Sequence, residues 1–288
     1  RLRPTCSDAM VLDDGIRGVR AALPCPVASS WEAGVVERGG MVEQSIEVEG
    51  VKVTLRATEP LAGVRADASP TLVPVVYLHV FEGDGRDVWE RVGKGTRPPM
   101  ALVAMEARSW DDDLTPWPAP PTFRGGTAYE GAAESQLGLL ERAVMPKAEA
   151  LLGQHGMGPS LSALAGYSLA GLFAAWAATR TDAFERVASV SGSLWYPGFA
   201  EYAAGNGPRP GVRRAYFSLG KAEPRTHNRA MRSVLEDTQR VAGAFERAGA
   251  STCFELNPGG HFTDEDLRCA RAILWLLSDG HGAHVGAR

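Results

Sequence analysis

The segment "LSALAGYSLAGLFAAWAATR", residues 161–180, decides how this chain is read. A short apolar run over 161–166 reaches a serine set among small residues. It then passes at once into an alanine-rich stretch with Leu169, Leu172, Phe173 and Trp176 at helical spacing. Packing alone does not call for a hydroxyl at such a junction. Ser168 has Gly166 two residues before it and Ala170 and Gly171 just after. This is the context of a nucleophile elbow, a sharp strand-to-helix turn that lifts the hydroxyl above the end of a sheet. Small neighbours let strand and helix close on one another. The pattern is GxSxA rather than GxSxG, a mild departure because alanine is still small. The helix start after the serine also offers backbone N–H groups, Leu169 first, to a developing oxyanion.

Outward from this junction, short apolar runs alternate with helical stretches. Residues 72–80, 101–107, 161–166, 186–192, 213–219 and 251–257 read as buried strands, their continuous apolar character suiting parallel strands covered on both faces. Helices are predicted over 127–152, 169–180, 228–248 and 263–277, with Pro146 kinking or splitting the first. The last should bury a face made of Leu267, Ala270, Ile273, Leu274 and Leu277. Ahead of these, "VEQSIEVEGVKVTLRAT" (42–58) alternates across a turn at Glu49–Gly50 and reads as an antiparallel hairpin. The sum is an α/β chain with an open, mostly parallel sheet flanked by helices. One domain is expected over 39–279, between an N-terminal extension (1–38) and a polar tail (280–288). No insertion long enough for a cap domain follows 186–192.

A serine hydroxyl needs a base. In this topology the partners follow in the order serine, acid, histidine, each at a strand end. Of six histidines, only His261, in "FELNPGGHFTDED", lies just beyond the last strand on a glycine-rich loop. His79 ends a strand and reads as structural. The acid is sought in "GKAEPRTHN", where Glu223 falls four residues past the strand; Asp237 is inside a helix, and Asp264 and Glu265 follow the histidine too closely. A Ser–His dyad without an acid stays open. A second oxyanion donor is expected from the loop after 72–80, at the backbone N–H of Phe81, with Val80 as the fallback. Trp110, Trp117, Trp195 and Tyr196 lie in loops at the same sheet edge and are candidates for lining an apolar pocket. Arg108 or Arg124 would meet an acidic substrate there.

The chain's 288 residues carry a net charge of −4, which gives no electrostatic case for nucleic-acid binding. Four cysteines (6, 25, 253, 269) show no metal spacing. Cys253 and Cys269 read as free buried thiols in a reducing compartment. With no secretory leader or membrane-length apolar run legible, a cytoplasmic location without membrane partners is expected. "VGKGT" (92–96) lacks the first glycine of a phosphate loop, and "DDD" (111–113) lacks the rest of an EF-hand, so no cofactor or metal is expected. The oligomeric state is not legible.

Six motifs in order, "YLHVFEGDG", "DLTPWPAP", "GYSLAG", "SGSLWY", "SLGKAE" and "NPGGHF", make residues 40–278 resemble the esterase D and enterochelin-esterase-like group of α/β-hydrolases. "SGSLWY" (191–196) resembles the Ser-Pro-Ser-hydrophobic-Trp-Trp segment of ferric-siderophore esterases, with Gly192 in place of the proline and Tyr196 in place of the second Trp. The resemblance implies an α/β-hydrolase fold and a serine esterase acting on small-molecule esters of siderophore or aromatic type. Ser168 would be its nucleophile, His261 its base and Glu223 its acid. Acyl transfer to another acceptor on the same fold, or a silent homologue that only binds a ligand, are the alternatives.

Overall fold

A computed structural model describes residues 40–59, 69–94, 97–123 and 125–278. The expected extension over 1–38 and the tail over 280–288 lie outside the described residues. The strands are β1 (Met41–Val48), β2 (Val51–Thr58), β3 (Thr71–His79), β4 (Ala101–Met105), β5 (Met157–Tyr167), β6 (Arg186–Val190), β7 (Arg214–Gly220) and β8 (Ser251–Asn257). They form one sheet in the order β1-β2-β4-β3-β5-β6-β7-β8. The pairs β1/β2 and β2/β4 are antiparallel; every other pair is parallel. The hairpin turns where expected, with Val48 opposite Val51 and both Glu49 (φ 49°) and Gly50 (φ 80°) left-handed, the geometry that matches strand twist in a two-residue turn.

The helices are α1 (Arg86–Val92), α2 (Trp110–Asp113), α3 (Ala133–Leu139), α4 (Met145–Gln154), α5 (Leu169–Ala177), α6 (Phe199–Asn206), α7 (Val234–Arg247) and α8 (Glu265–Leu277). Alternation along the strands divides the core in two. Val73, Val75 and Tyr77 of β3 face a cluster with α3 to α7, whereas Val76 and Leu78 face α1 and α8. All five residues of β4 and all nine of α5 are buried, which is why these segments read as continuous apolar runs rather than alternating ones.

Three expectations need correction. The helix predicted over 127–152 begins only at Ala133, and Pro146 leaves no non-helical gap in it: α3 runs into α4 through a π-helical turn over Leu140–Val144, a wider register next to a residue with no N–H to donate. The segments 86–92 and 199–206 are helical, although no helix is predicted there; each is under three turns and shows too little periodicity. The buried face of α8 comprises Arg268, Cys269, Ala270, Ala272, Ile273 and Leu276, leaving Leu267, Leu274 and Leu277 half-buried. The helix is rotated because Arg268 points inward.

Cys269 is a free, buried thiol, but Cys253 is disulfide-bonded, so the free-thiol argument for a reducing compartment does not hold. Among the described residues, no helix is long and apolar enough to cross a membrane.

Candidate active site

Ser168 sits between β5 and α5 with φ 58° and ψ −121°, a conformation that L-residues avoid and that costs on the order of 1–3 kcal/mol where it is held. The surroundings hold it. Its N–H donates to the Val190 carbonyl at the end of β6 (3.1 Å), and its own carbonyl accepts from the N–H groups of Gly171, Leu172 and Ser193. Gly166 is required because a Cβ there would lie 2.2 Å from the Ala170 carbonyl oxygen. At Gly192 a Cβ would meet the Ser189 hydroxyl at 2.0 Å, a side-chain contact, with backbone no nearer than 3.4 Å.

The loops after β7 and β8 continue the sheet's pairing. Lys221 N–H donates to the Asn257 carbonyl and Ala222 N–H to the Gly259 carbonyl, both at 2.9 Å. A side chain at Gly220 would strike the Gly259 and Gly260 carbonyls at 2.6 and 2.8 Å, so glycine lets the two loops close. This zipper sets Glu223 beside His261: Glu223 Oε2 lies 2.9 Å from His261 Nδ1, and His261 Nε2 lies 3.0 Å from Ser168 Oγ. With the Nδ1–H donated to the carboxylate, Nε2 is the ring nitrogen left to accept the serine proton. Burial pushes the Glu223 carboxyl up, but the hydrogen bonds from His261 and from Gly220 N–H (2.6 Å) outweigh it, and its pKa is held below the ordinary glutamate value.

A residue that sequence reasoning missed anchors this arrangement. Arg268 of α8 is fully buried, and its guanidinium donates to Ser191 Oγ (3.0 Å), Glu223 Oε1 (3.4 Å), and the carbonyls of Pro258 (2.7 Å) and Gly260 (3.0 Å). One side chain thus ties the end of β6, the acid and the histidine loop. Tyr167 and Ser193 were also missed. The Tyr167 hydroxyl donates to the His261 carbonyl and its ring lies 5.3 Å from the imidazole; Ser193 Oγ is 3.4 Å from Ser168 Oγ. Only their places inside "GYSLAG" and "SGSLWY" signalled them.

A cavity of about 530 Å³ opens on Ser168 and His261, bounded by the loop 79–87 and the start of α8. That loop is clamped to the hairpin by Arg56, which is fully buried and donates to the Asp84 carbonyl (2.5 Å), Asp84 Oδ2 (2.5 Å) and Glu43 Oε2 (2.9 Å). Phe81 and Val80 both line the cavity, but the Val80 N–H is engaged by the Met105 carbonyl (2.9 Å), which removes the fallback donor and leaves Phe81. Trp110 lines the cavity and meets Phe81 edge-on at 5.2 Å.

The other expected pocket aromatics are elsewhere. Trp117 donates from Nε1 to the Pro197 carbonyl and packs on Tyr196, Phe199 and Tyr202. Tyr196 is buried with its hydroxyl on the Trp117 carbonyl (2.6 Å), and Trp195 packs against the same cluster. The polar ends of Trp117 and Tyr196 are satisfied internally, and none of the three is among the residues that line the cavity. Arg108 pairs with Asp113 (3.6 Å) and does not line the cavity either; Arg124 lies outside the described residues. His79 is structural as expected: it is buried beside Phe173 with Nε2 3.0 Å from Gln136 Nε2, and burial pulls its pKa down to about 3.

The eight-stranded order, the elbow after β5 and the acid and histidine loops after β7 and β8 are those of the α/β-hydrolase fold. Known structures agree. Siderophore hydrolase EstA from Aspergillus nidulans superposes with a TM-score of 0.59 at 18% identity, covering 86% of this chain and 97% of that one. An IroE-like serine hydrolase from Shewanella oneidensis gives 0.60 at 17%, covering 81% and 78%. In sequence, the uncharacterized protein YbbA of Bacillus subtilis (strain 168) is 28% identical over 185 residues, 62% of this chain and 74% of that protein. No protein-family profile matches the chain.

Proposed function

We propose that residues 39–279 act as one serine esterase domain that cleaves carboxylic esters through an acyl-enzyme. Ser168 Oγ attacks the ester carbonyl while His261 Nε2 takes its proton, and Glu223 orients the imidazole and stabilises the imidazolium. The backbone N–H groups of Leu169 and Phe81 receive the oxyanion; His261 then returns the proton to the leaving alcohol. Water, activated by the same histidine, releases the acid and restores the serine. The observation that carries this reading is the continuous chain Ser168–His261–Glu223, with links of 3.0 and 2.9 Å, at the mouth of a cavity. A binding-only homologue has no physical need for a strained serine aligned with an oriented base. Siderophore hydrolase EstA is a precedent for siderophore hydrolysis on this fold; one fold hosts many activities, so siderophore-type and aromatic esters are the classes to assay.

The test is turnover of p-nitrophenyl acetate and butyrate with product analysis in the presence of added alcohols. The reading expects free acid as the main product and a fall of about 10⁴-fold or more in kcat for Ser168→Ala. Unchanged turnover in that variant contradicts it, and ester products in place of acid would make the protein an acyltransferase.

A further inference from the structure

The cavity in front of Ser168 has a charge that the triad does not use. Five carboxylates line it (Glu82, Asp84, Asp87, Glu265 and Asp266), and Arg86 is the one Lys or Arg among the lining residues. Arg56 holds Asp84 at 2.5 Å, and Arg86 is drawn to Glu43 at 2.8 Å. Among the described residues, Glu82, Asp87, Glu265 and Asp266 make no ion pair with Lys or Arg.

Acidic residues in the first turn of a helix often serve only to complement the helix dipole, and Asp87, Glu265 and Asp266 occupy such positions on α1 and α8. That role does not account for the pair Asp87 and Asp266. Burial and then the Asp87 charge push the Asp266 carboxyl above its ordinary value, with Arg91 offsetting only part. Asp87 and Asp266 stand on two helices that pack against each other, and both line the same cavity.

The other lining groups fit the same kind of ligand. Phe81 and Phe262 are 67% and 85% exposed, and Trp110 braces Phe81. Aromatic faces together with carboxylates are the two components that recognise organic cations, the first by cation–π attraction and the second by charge. His79, only 2% exposed, also lines the cavity; with the Gln136 amide nitrogen on its Nε2, its Nδ1–H has no partner among the described residues, a donor for an oxygen of the ester rather than for the cation. The volume of about 530 Å³ lies in the range that takes a small organic molecule.

Resting on the esterase reading above, we propose that the substrate is an ester carrying an organic cation, an ammonium or guanidinium group. The carboxylates of Asp87 and Asp266 would receive that cation, with Phe81 and Phe262 beside it. Anionic esters are disfavoured by the same wall. This reverses the sequence expectation that arginines in the site would meet an acidic substrate.

The experiment compares rates of Ser168 labelling by phosphonothiolate esters made as isosteric pairs, one member with trimethylammonium and the other with tert-butyl. In one pair the group is on the leaving thiolate, in the other on the retained alkyl arm. In the labelling step the serine oxygen forms a bond to phosphorus, the phosphorus–sulfur bond breaks, the thiolate departs, and His261 holds the serine proton. The cationic member of at least one pair should label about 10- to 100-fold faster at low ionic strength. That ratio should shrink as salt is added and approach one in Asp87→Asn/Asp266→Asn. Equal rates within both pairs, faster labelling by both tert-butyl members, or a ratio untouched by the double variant overturns the proposal and leaves the esterase standing. No labelling of Ser168 by any of the four probes overturns the esterase reading itself.

Discussion

Arg268→Met tests whether one buried guanidinium holds the site together. The substitution keeps much of the side chain's apolar length on α8 but removes the donors to Ser191, Glu223, Pro258 and Gly260. Glu223 would then keep a buried carboxylate with one cationic neighbour fewer, and the Pro258 and Gly260 carbonyls would lose their donor. Breaking a buried pair by deleting one partner costs about 3–5 kcal/mol, and the other bonds do not simply add because they share the same group. For a domain of this size that loss lowers Tm by roughly 10 °C. Activity should fall through kcat more than KM, because Arg268 positions the acid and the histidine loop but does not line the cavity. A unit positive charge removed from behind Glu223 also favours the imidazolium. At an effect on the order of 1 kcal/mol, the acid limb of the kcat/KM–pH profile should move up by roughly 0.5–1 unit. Arg268→Lys should restore more of the pH profile than of the stability, since an ammonium cannot reproduce the planar fork. Thermal unfolding and pH–rate profiles of the three proteins provide the assay. An unchanged Tm, or an acid limb that stays put or moves down, would refute the reasoning.

Further outcomes follow from the same geometry. The Glu223 carboxyl titrates below its unfolded value of 4.5, so its contribution to stability is present above that pH and lost as pH falls through the lower folded value; Glu223→Gln should flatten the acid side of a urea-unfolding series. His79 is held neutral by burial with a pKa near 3 against 6.5 unfolded, so the unfolded state binds the extra proton; stability should decline as pH drops from 6.5 towards 3, and less steeply in His79→Gln. Trp110→Ala should raise KM for esters with little change in Tm. Trp117→Ala should cost about 3 kcal/mol in denaturant unfolding with KM retained, because only the first residue lines the cavity.

The strands and the elbow were legible in the sequence because both depend on local pattern. Parallel strands buried on two faces leave unbroken apolar runs, and the close approach of β5 to α5 demands glycine at 166. The spacing of Ser168, Glu223 and His261 relative to strand ends was legible for the same reason. The groups around them were less so. Apolar periodicity passes over an arginine, so the face read for α8 from Leu267, Ala270, Ile273, Leu274 and Leu277 shares only Ala270 and Ile273 with the buried face and leaves out Arg268. The loop tryptophans show the opposite error. Trp117 and Tyr196 lie at the expected sheet edge, but whether an aromatic turns to the cavity or to the core depends on which carbonyl its polar end reaches, here Pro197 and Trp117. The acidic wall was hidden because Asp87 and Asp266 are far apart in sequence and meet only when α1 packs against α8.

The central claim is that Ser168 is an activated nucleophile. Its most direct test is reaction of the folded protein with a small neutral fluorophosphonate, followed by peptide mass spectrometry. The account predicts a single adduct on Ser168, absent in Ser168→Ala and formed far more slowly in His261→Gln. A folded protein that takes no adduct, or takes it elsewhere, would contradict the account.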